Sequence, residues 1–208
     1  MSTLAEQYRP ASFVDVVGQD KAVTLLKYYL GRGSGCALML LGPSGSGKTT
    51  LAMCAAREWG CDDMSTTLVS SAESDVGSIR ELAEHMSYRG WGESGRKCYI
   101  IDEIHTLSAR AADRLLSVLE SIPPHVLLIA TTTESTWLEQ RETLWSRWHR
   151  IGLAKPRSGD VAALLQKIAD AEKLPNDANG WADRYVKYHG LNLRNLINGL
   201  PEHLLQPA

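Results

Sequence analysis

The chain has 208 residues, 44% of them hydrophobic and 22% charged, a balance typical of a globular protein with a sizeable core. Its formal net charge of -2 excludes a general positive field that would draw it onto a polyanion, so any nucleic-acid binding must depend on local geometry. The N-terminus has no signal-peptide core, and no apolar run approaches the ~18 residues that span a bilayer, so we expect a cytoplasmic protein.

Short apolar runs alternate with helical patterns in the first part of the chain. The runs cover residues 36–42, 66–71, 97–103 and 125–132, and they are mostly uninterrupted, as in parallel strands that are covered on both faces. Helical spacing follows the second and third runs, at Val76, Ile79, Leu82, Ala83 and Met86, and at Leu115, Leu116 and Leu119. This alternation predicts a doubly wound α/β fold.

From Pro156 onward the pattern is helical alone, with breaks at Gly190 and Pro201. Three helices are predicted, and their apolar positions are Val161, Leu164, Leu165 and Ile168, then Trp181, Tyr185 and Tyr188, then Leu193, Leu196, Ile197 and Leu200. We therefore expect a core domain over residues 1–155 and a small helical domain over residues 156–208.

The four cysteines, Cys36, Cys54, Cys61 and Cys98, show no C-x-x-C spacing. Two of them, Cys36 and Cys98, lie at the start of apolar runs. This distribution favours reduced thiols in an intracellular protein over disulfides or a zinc site.

The segment GPSGSGKTT, residues 42–50, directly follows the first apolar run and opens a helix. It satisfies the phosphate-loop pattern G-x-x-x-x-G-K-[ST], in which glycines let backbone N–H groups point at phosphate oxygens. An incidental glycine-rich turn is the alternative, but the strand before and the helix after favour a nucleotide site. We expect nucleotide contacts from Gly42, Pro43, Ser44, Gly45, Ser46, Gly47, Lys48, Thr49 and Thr50, with Lys48 at the β- and γ-phosphates and Thr49 also on Mg²⁺.

An acid pair, Asp102 and Glu103, ends the third apolar run. Beside a phosphate loop, Asp102 is expected to hold Mg²⁺ through water, and Glu103 to polarise the attacking water as a general base. The alternative is a solvated strand end. The two motifs together leave small-molecule kinases, helicases and ring ATPases open.

The flanking segments narrow these classes. They are QYRPASFVDVVGQ at residues 7–19, DEIHTLS, LLSVLESIPPHVLLIATT, SRW and GLNLRNLIN. With the phosphate loop, they resemble an AAA+ ATPase of the clamp-loader clade, which includes the bacterial gamma/tau subunits and the small subunits of replication factor C. The resemblance runs from about Tyr8 to Leu200. It implies a P-loop NTPase (AAA+) with a doubly wound parallel five-stranded sheet, a three-helix lid, and ATP and Mg²⁺ as cofactors.

The resemblance also implies residues that complete the nucleotide site. The N-terminal segment matches the one that lines the adenine pocket, although it could instead pack the N-terminal arm; its residues are Tyr8, Arg9, Pro10, Val16, Val17 and Gln19. Thr132 falls at the polar sensor 1 position, with Thr133 as the alternative by register. Arg194 falls at sensor 2, where the lid reaches back to the triphosphate.

The segment LWSRWHRIGL, residues 144–153, falls where the family carries Ser-Arg-Cys. The resemblance implies that Arg147 is presented to the nucleotide of the neighbouring subunit and that one chain alone hydrolyses ATP poorly. Because Trp148 replaces the cysteine and the preceding loop is longer, Arg150 and Arg141 are alternatives by register. Arg147 could also stack on Trp145 or Trp148 as a cation–π pair.

DNA contacts are implied by the helix N-termini that line the ring interior in clamp loaders. The equivalent segments are SAESDVGSIR and TLSARAADR, which nominate Arg80, Ser108 and Arg110. Asp113 departs from the family, which has there an amide side chain that couples DNA to nucleotide. The glycine-rich loop YRGWGESGRK, residues 88–97, could stack on single-stranded bases or be an exposed connection.

Two features of the family are missing from this sequence. EWGCDDM leads directly from the phosphate-loop helix to the second strand, so we expect no four-cysteine zinc module. The sequence ends at Ala208, soon after the lid, so we expect no helical collar and oligomerisation through another surface.

These inferences predict an ATP-driven switch, in which an oligomer of AAA+ subunits couples ATP hydrolysis to DNA and to a ring-shaped replication protein such as a sliding clamp. A replicative helicase loader, or a recombination or transposition regulator, is the alternative with the same core. A monomeric P-loop kinase, which needs no arginine in trans, and a binding module that uses ATP only to assemble are alternatives of other classes.

Overall fold

The computed structural model describes residues 2–91, 93–175 and 180–205. Over these ranges the strands are β1 (Cys36–Leu41), β2 (Thr66–Ser70), β3 (Lys97–Asp102), β4 (Val126–Thr132) and β5 (His149–Gly152). They form one sheet in the order β2-β3-β4-β1-β5, and all four pairings are parallel. The predicted doubly wound parallel sheet is thus confirmed, with the four apolar runs as four of its strands.

The fifth strand, β5, has no apolar run of its own because it lies at an edge of the sheet. It pairs with β1, and only Ile151 of its four residues is buried. By contrast, β4 lies in the middle of the sheet and is buried at all seven positions. Burial on both faces produces the continuous apolar pattern that an exposed edge strand lacks.

Helices cover both faces of the sheet. On one face lie α2 (Asp20–Leu30) and α3 (Lys48–Glu58), and on the other lie α4 (Val76–Met86) and α5 (Ala109–Leu119). Alternate residues of β1 point to opposite faces, with Met39 in the cluster under α4 and α5 and Leu40 in the cluster under α3. Because the strands are parallel, their carboxyl ends meet at one edge, where the phosphate loop begins.

The segment between β4 and β5 contains two short helices, α6 (Ser135–Glu139) and α7 (Glu142–Trp145). Leu144 and Trp148 from this segment are buried in the cluster under α4 and α5. Trp148 is therefore part of the core, and its neighbour Arg147 is left at the surface.

The C-terminal residues form four helices in the described ranges, and the prediction of three was wrong. They are α8 (Ser158–Ala171), α9 (Trp181–His189), α10 (Leu193–Asn198) and α11 (Leu200–Leu205), and they bury a hydrophobic cluster of their own. The predicted third helix is divided at Gly199. Pro201 lies in the first turn of α11, where the missing backbone N–H has no helical partner to lose.

The N-terminal arm joins the C-terminal helices to the core. The short helix α1 (Leu4–Gln7) packs on the C-terminal cluster, and the backbone N–H of Ala5 donates to Asn198 Oδ1 at 2.9 Å. A few residues later the arm contacts α3, where Cys54 Sγ donates to the carbonyl of Pro10 at 3.4 Å and Phe13 is buried. One continuous segment thus contacts both parts of the molecule on either side of Arg9.

Candidate functional site

The phosphate loop, residues 42–47, connects β1 to α3 at the carboxyl edge of the sheet. Gly45 and Gly47 adopt positive φ values of 74° and 91°, which L side chains rarely take, so the motif's glycines have a backbone reason to be there. Gly42 faces Leu153, whose carbonyl oxygen would lie 2.8 Å from an added Cβ. The loop is therefore fixed by backbone conformation and by close packing.

Lys48 begins α3 and is almost fully buried. Its Nζ donates to the carbonyls of Gly42 at 3.0 Å and Pro43 at 3.2 Å, so the ammonium is held across the mouth of the loop. Burial is the largest influence on its pKa and lowers it, Glu103 and Asp102 raise it, and Arg194 lowers it further. A buried cation with incomplete neutralisation at a helix N-terminus is a site that favours an anion.

Asp102, the last residue of β3, accepts two hydroxyl hydrogen bonds at Oδ1. Thr49 Oγ1 donates at 2.9 Å and Thr131 Oγ1 at 2.6 Å. The structure thus brings the two predicted metal ligands, Thr49 and Asp102, into direct contact. The hydroxyl of Ser46 is buried and finds no hydrogen-bond partner among the described residues, so the loop retains a polar group for a ligand. These oxygens suit Mg²⁺ beside a phosphate.

Glu103 follows in a left-handed backbone conformation, with φ 52°. Its N–H donates to Thr131 Oγ1 at 3.0 Å, and its Oε1 lies 3.8 Å from Lys48 Nζ. A non-glycine residue with positive φ is uncommon, and strain of this kind concentrates at functional sites. The conformation turns the carboxylate toward the phosphate loop, as a general base acting there requires.

Three consecutive threonines end β4 or follow it, and each has a different role. Thr131 supports the acid pair, a role that the sequence did not indicate. Thr132, the predicted sensor 1 residue, is fully buried, and its Oγ1 contacts His105 Nδ1 at 3.0 Å and accepts from the N–H of Glu134 at 3.0 Å. Thr133 is exposed and donates to Glu103 Oε2 at 3.3 Å. The register alternative, Thr133, therefore contacts the carboxylate of the predicted general base, whereas Thr131 contacts its backbone.

His105 lies beside the acid pair and was not identified from the sequence. Its Nδ1 is 3.3 Å from Glu103 Oε2, and its Nε2 is 3.8 Å from Glu134 Oε1. Its position in the motif DEIH was the available signal. The imidazole limits the positions that the Glu103 carboxylate can take.

Gln19 connects the phosphate loop to the segment that follows β5. Its Nε2 donates to the carbonyls of Ser46 at 3.2 Å and Ala154 at 2.7 Å, and its side chain is buried. Gly18, one residue earlier, packs against Pro156, whose Cβ would lie 2.9 Å from an added Cβ. The N-terminal segment therefore stabilises the phosphate loop through the hydrogen bond from Gln19 to Ser46.

The remaining predicted adenine-pocket residues are divided between the two parts of the molecule. Tyr8 packs on the C-terminal cluster and donates to Glu172 Oε1 at 2.6 Å, while Val16 packs on the core cluster beneath α2 and α3. Arg9, Pro10 and Val17 are partly buried along the same segment. Arg194 is exposed in the first turn of α10, and its charge makes a small contribution to lowering the pKa of Lys48.

Arg147 is not part of a tryptophan stack. Its Nη2 donates to Glu120 Oε1 at 2.8 Å, and its Nη1 donates to the carbonyl of Thr143 at 2.8 Å. The cation–π contacts of this region belong to the two alternatives: Arg150 lies 4.3 Å from the ring centroid of Trp145, and Arg141 lies 4.5 Å from that of Trp137. The cation–π alternative for Arg147 was therefore wrong.

The predicted DNA-contacting residues lie on the two helices that follow β2 and β3. Arg80 on α4 and Arg110 on α5 are exposed. Ser108 is the N-cap of α5 and accepts from the N–H of Ala111 at 3.2 Å. The start of α4 is capped by the carboxylate of Asp75, which accepts from Ser78 at 2.8 Å and so already fills that helix terminus with negative charge.

In the glycine-rich loop at residues 88–97, two of the basic side chains make contacts within the chain, which leaves fewer of them to bind nucleic acid. Arg96 stacks 4.1 Å above the ring of Trp59 and donates to its carbonyl at 2.7 Å, and Lys97 donates to the carbonyl of His85 at 2.8 Å. Trp91 is 98% exposed. The two structural cations favour the simpler interpretation of this loop as an exposed connection.

The cysteines are unpaired thiols, three of them buried. Burial raises the pKa of Cys36, Cys54 and Cys61 to about 11, which keeps these thiols protonated near neutral pH.

Across the described ranges, no helix combines the length and apolar character that crossing a bilayer requires.

Comparisons with known proteins agree with this geometry. Residues 38–154, more than half of the chain, match the family described as "ATPase family associated with various cellular activities (AAA)". DNA polymerase III subunit tau of Bacillus subtilis is 30% identical over 190 residues, which is 80% of this chain and 33% of that protein. DNA polymerase III subunit gamma/tau of Mycobacterium tuberculosis is 32% identical over 196 residues, or 81% of this chain and 33% of that one.

The likeness extends to archaeal and structural relatives. The replication factor C small subunit of Haloarcula marismortui is 27% identical, over 94% of this chain and 60% of that protein. Among solved structures, a variant of Thermotoga maritima RuvB superposes with a TM-score of 0.77 at 23% identity, over 93% of this chain and 64% of that one, which bears on the fold alone. The chain spans about a third of the length of the two bacterial polymerase subunits.

Proposed function

Because this chain belongs to the AAA family of ATPases, we propose that it is an ATP-hydrolysing subunit of a clamp-loader-like complex in DNA replication. The observation that carries the proposal is the convergence of Lys48, Thr49, Asp102 and Glu103 at the carboxyl edge of the sheet. The names of the relatives, subunits of DNA polymerase III and of replication factor C, support the replication role. In this role ATP binding and hydrolysis are coupled to DNA and to a sliding clamp.

The four converging residues divide the chemistry of phosphoryl transfer among them. Lys48 binds the β- and γ-phosphates, together with the inward-pointing N–H groups of the phosphate loop. Thr49 and Asp102 hold Mg²⁺, which when bound neutralises charge on the phosphates. Glu103 accepts a proton from the attacking water, and the hydroxyl of Thr133, which already contacts that carboxylate, orients the pair.

The lid is the second part of the proposal. Residues 1–155 act as the nucleotide-binding core, and residues 156–208 act as a helical lid that brings Arg194 to the γ-phosphate. The separate hydrophobic clusters of the core and of the C-terminal helices support this division, and the N-terminal arm connects them, because Tyr8 contacts the C-terminal helices and Pro10 contacts the core. The adenine then lies beside the segment from Tyr8 to Val17, between the two parts.

Arg147 completes the site of a neighbouring subunit in an oligomer of AAA+ subunits. Its surface position supports this role, because a guanidinium that is 34% exposed and paired with a single carboxylate can reach another chain. The alternatives Arg150 and Arg141 lie over tryptophan rings of their own chain. DNA is contacted by the exposed Arg80 of α4, rather than by the helix terminus that Asp75 caps, and by Ser108 and Arg110 at the start of α5.

The test is subunit mixing. Arg147→Ala should reduce ATP turnover by roughly 10³-fold while nucleotide binding persists, because trans arginines contribute at least that much in known NTPases. Glu103→Gln should also bind ATP without turnover. A mixture of the two should regain activity, because each Arg147→Ala pocket can receive the arginine of a Glu103→Gln neighbour.

Arg150→Ala and Arg141→Ala are the controls. Because neither arginine completes a neighbouring site in this proposal, the turnover of each variant should not rise when Glu103→Gln subunits are added. If the mixture stays inactive and the unaltered chain retains its full rate on dilution, each chain carries a complete site. That result would replace the proposal with the self-contained P-loop kinase. Primed DNA and a sliding clamp, added to the unaltered chain, then test the partners by their effect on turnover.

A further inference from the structure

Asn192 lies against the phosphate loop at Gly45. A Cβ added to Gly45 would be 2.5 Å from Oδ1, 2.6 Å from Cγ and 2.9 Å from Nδ2 of Asn192. Separations this short do not occur between non-bonded atoms, so the amide of Asn192 occupies the space that any side chain at residue 45 would need. The C-terminal helices thus touch the phosphate loop at its middle glycine.

The same amide is the N-cap of α10. Asn192 has an extended backbone, and its Oδ1 accepts from the N–H of Asn195 at 3.3 Å, while its carbonyl accepts from the N–H of Leu196 at 3.0 Å. A side chain that caps a helix is limited in its rotamers. The contact with Gly45 therefore fixes the start of α10 relative to the phosphate loop, rather than only one mobile side chain.

Arg194 lies two residues after this contact. Its side chain is exposed, and its charge contributes to lowering the pKa of Lys48 at the end of that loop. The C-terminal helices also contact the N-terminal arm, through Tyr8 and Ala5, but these contacts do not involve the phosphate loop. The distance between Arg194 and the loop thus depends directly on how Asn192 is seated.

We infer that Asn192 is a positioning residue that seats the lid on the phosphate loop and thereby sets the reach of Arg194 toward the terminal phosphate of a bound nucleoside triphosphate. Glycine is required at residue 45 for this contact as well as for its positive φ. The inference rests on the proposed nucleotide site for its effect on ligand binding, whereas the seating itself does not depend on it.

The experiment compares two glycines of one loop. Gly45 and Gly47 both have positive φ, so an alanine strains the backbone at either position, but an added Cβ at Gly47 meets nothing within 4 Å. Each alanine variant is made alone and with Asn192→Ser. Serine retains an oxygen that can cap α10 and removes the amide that meets the Cβ.

Two readouts are taken on each variant of the full chain. The first is the distance between fluorophores on exposed Glu81→Cys of α4 and Lys187→Cys of α9, without nucleotide. The second is the ratio of ATP to ADP affinity, measured by equilibrium titration. Gly45→Ala should lengthen the label distance and reduce the preference for ATP by roughly tenfold, as expected for the loss of one charge-assisted contact.

Rescue decides the assignment. Asn192→Ser should restore both readouts in Gly45→Ala and neither in Gly47→Ala, and Asn192→Gln alone should reproduce the Gly45→Ala defect, because its longer side chain reaches into the same space. An unchanged label distance in Gly45→Ala, or equal rescue of both alanine variants, would overturn the inference. If the unaltered chain binds neither nucleotide, the proposed function fails while the label distances still test the seating.

Discussion

The guanidinium of Arg147 and the carboxylate of Glu120 form a hydrogen-bonded ion pair within one chain, with 2.8 Å between Nη2 and Oε1. Both side chains are partly exposed, and an ion pair of this kind contributes roughly 0–1 kcal/mol. In the proposed assembly, a contact this weak can be exchanged at little cost for a contact with the nucleotide phosphate bound to a neighbouring subunit. Glu120 therefore keeps the guanidinium of Arg147 at the surface of its own chain without binding it strongly.

The first prediction follows from that competition. Glu120→Gln should raise ATP turnover of the assembled protein by about two- to fivefold, because a competing contact of up to ~1 kcal/mol is removed. The free energy of unfolding should change by less than about 1 kcal/mol. Glu142→Gln, which removes an equal charge from the adjacent helix, should leave turnover unchanged. A fall in turnover with Glu120→Gln would show that the carboxylate orients the arginine instead.

The second prediction separates the two candidate sensor residues. Thr133→Val removes a hydroxyl that contacts Glu103 from an exposed position, so it should lower turnover by roughly 10²-fold, with a stability change within about 0.5 kcal/mol. Thr132→Val removes a fully buried hydroxyl and leaves the partly buried N–H of Glu134 without its partner, so it should cost about 1–3 kcal/mol of unfolding free energy. Steady-state hydrolysis and urea denaturation distinguish the two, and the reverse pattern would return sensor 1 to Thr132.

The third prediction concerns the support beneath the acid pair. Thr131→Val keeps the shape of the side chain but removes the donor to Asp102 and the acceptor of the Glu103 N–H, both in a fully buried position. We expect a loss of about 1–3 kcal/mol in unfolding free energy. Weakened orientation of Asp102 should also lower the apparent Mg²⁺ affinity about 10- to 100-fold. Thr131→Ser, which keeps the hydroxyl, is the matched control, and equal effects of both variants would contradict this role.

The sequence predicts the parts of this molecule that obey short-range rules. The strand β4 is buried on both faces and so reads as an apolar run, and the phosphate loop has glycines at the positions where the backbone needs positive φ. The hydrophobic pattern did not predict the edge strand β5, because three of its four residues are exposed. The acid pair at the end of the third apolar run and the match to the phosphate-loop motif together predicted that Lys48, Thr49 and Asp102 lie at one edge of the sheet.

Long-range contacts could not be predicted in the same way. Thr131 lies inside an apolar strand, and only the pairing of β3 with β4 brings it to Asp102. Asn192 is 147 residues from Gly45 in the sequence, so neither residue alone indicates the other. The partner of Arg147 was missed for a similar reason, because the nearby tryptophans suggested stacking and Glu120 is 27 residues away.

The last prediction concerns pH and the C-terminal helices. The ring of His203 on α11 lies 4.4 Å from that of Tyr185 and 6.1 Å from that of His189, both on α9, and Trp181 lies 6.4 Å away. Partial desolvation of this exposed side chain lowers the pKa of His203 from its ordinary value of 6.5, and the charge of His189 lowers it further. The folded protein therefore binds fewer protons than the unfolded chain below about pH 6.5.

Stability should accordingly be complete above pH 6.5 and fall as the pH drops from there through the lowered pKa of His203. His203→Gln should flatten this decrease, measured as unfolding free energy in urea and as hydrogen exchange of α9 and α11 between pH 7.5 and pH 5. His189→Gln should flatten it only in part, because it removes the neighbouring charge but leaves the partial desolvation of His203, the larger cause, in place. An unchanged slope in His203→Gln would assign the pH dependence to other groups, since the contact between α9 and α11 would then be insensitive to this imidazole.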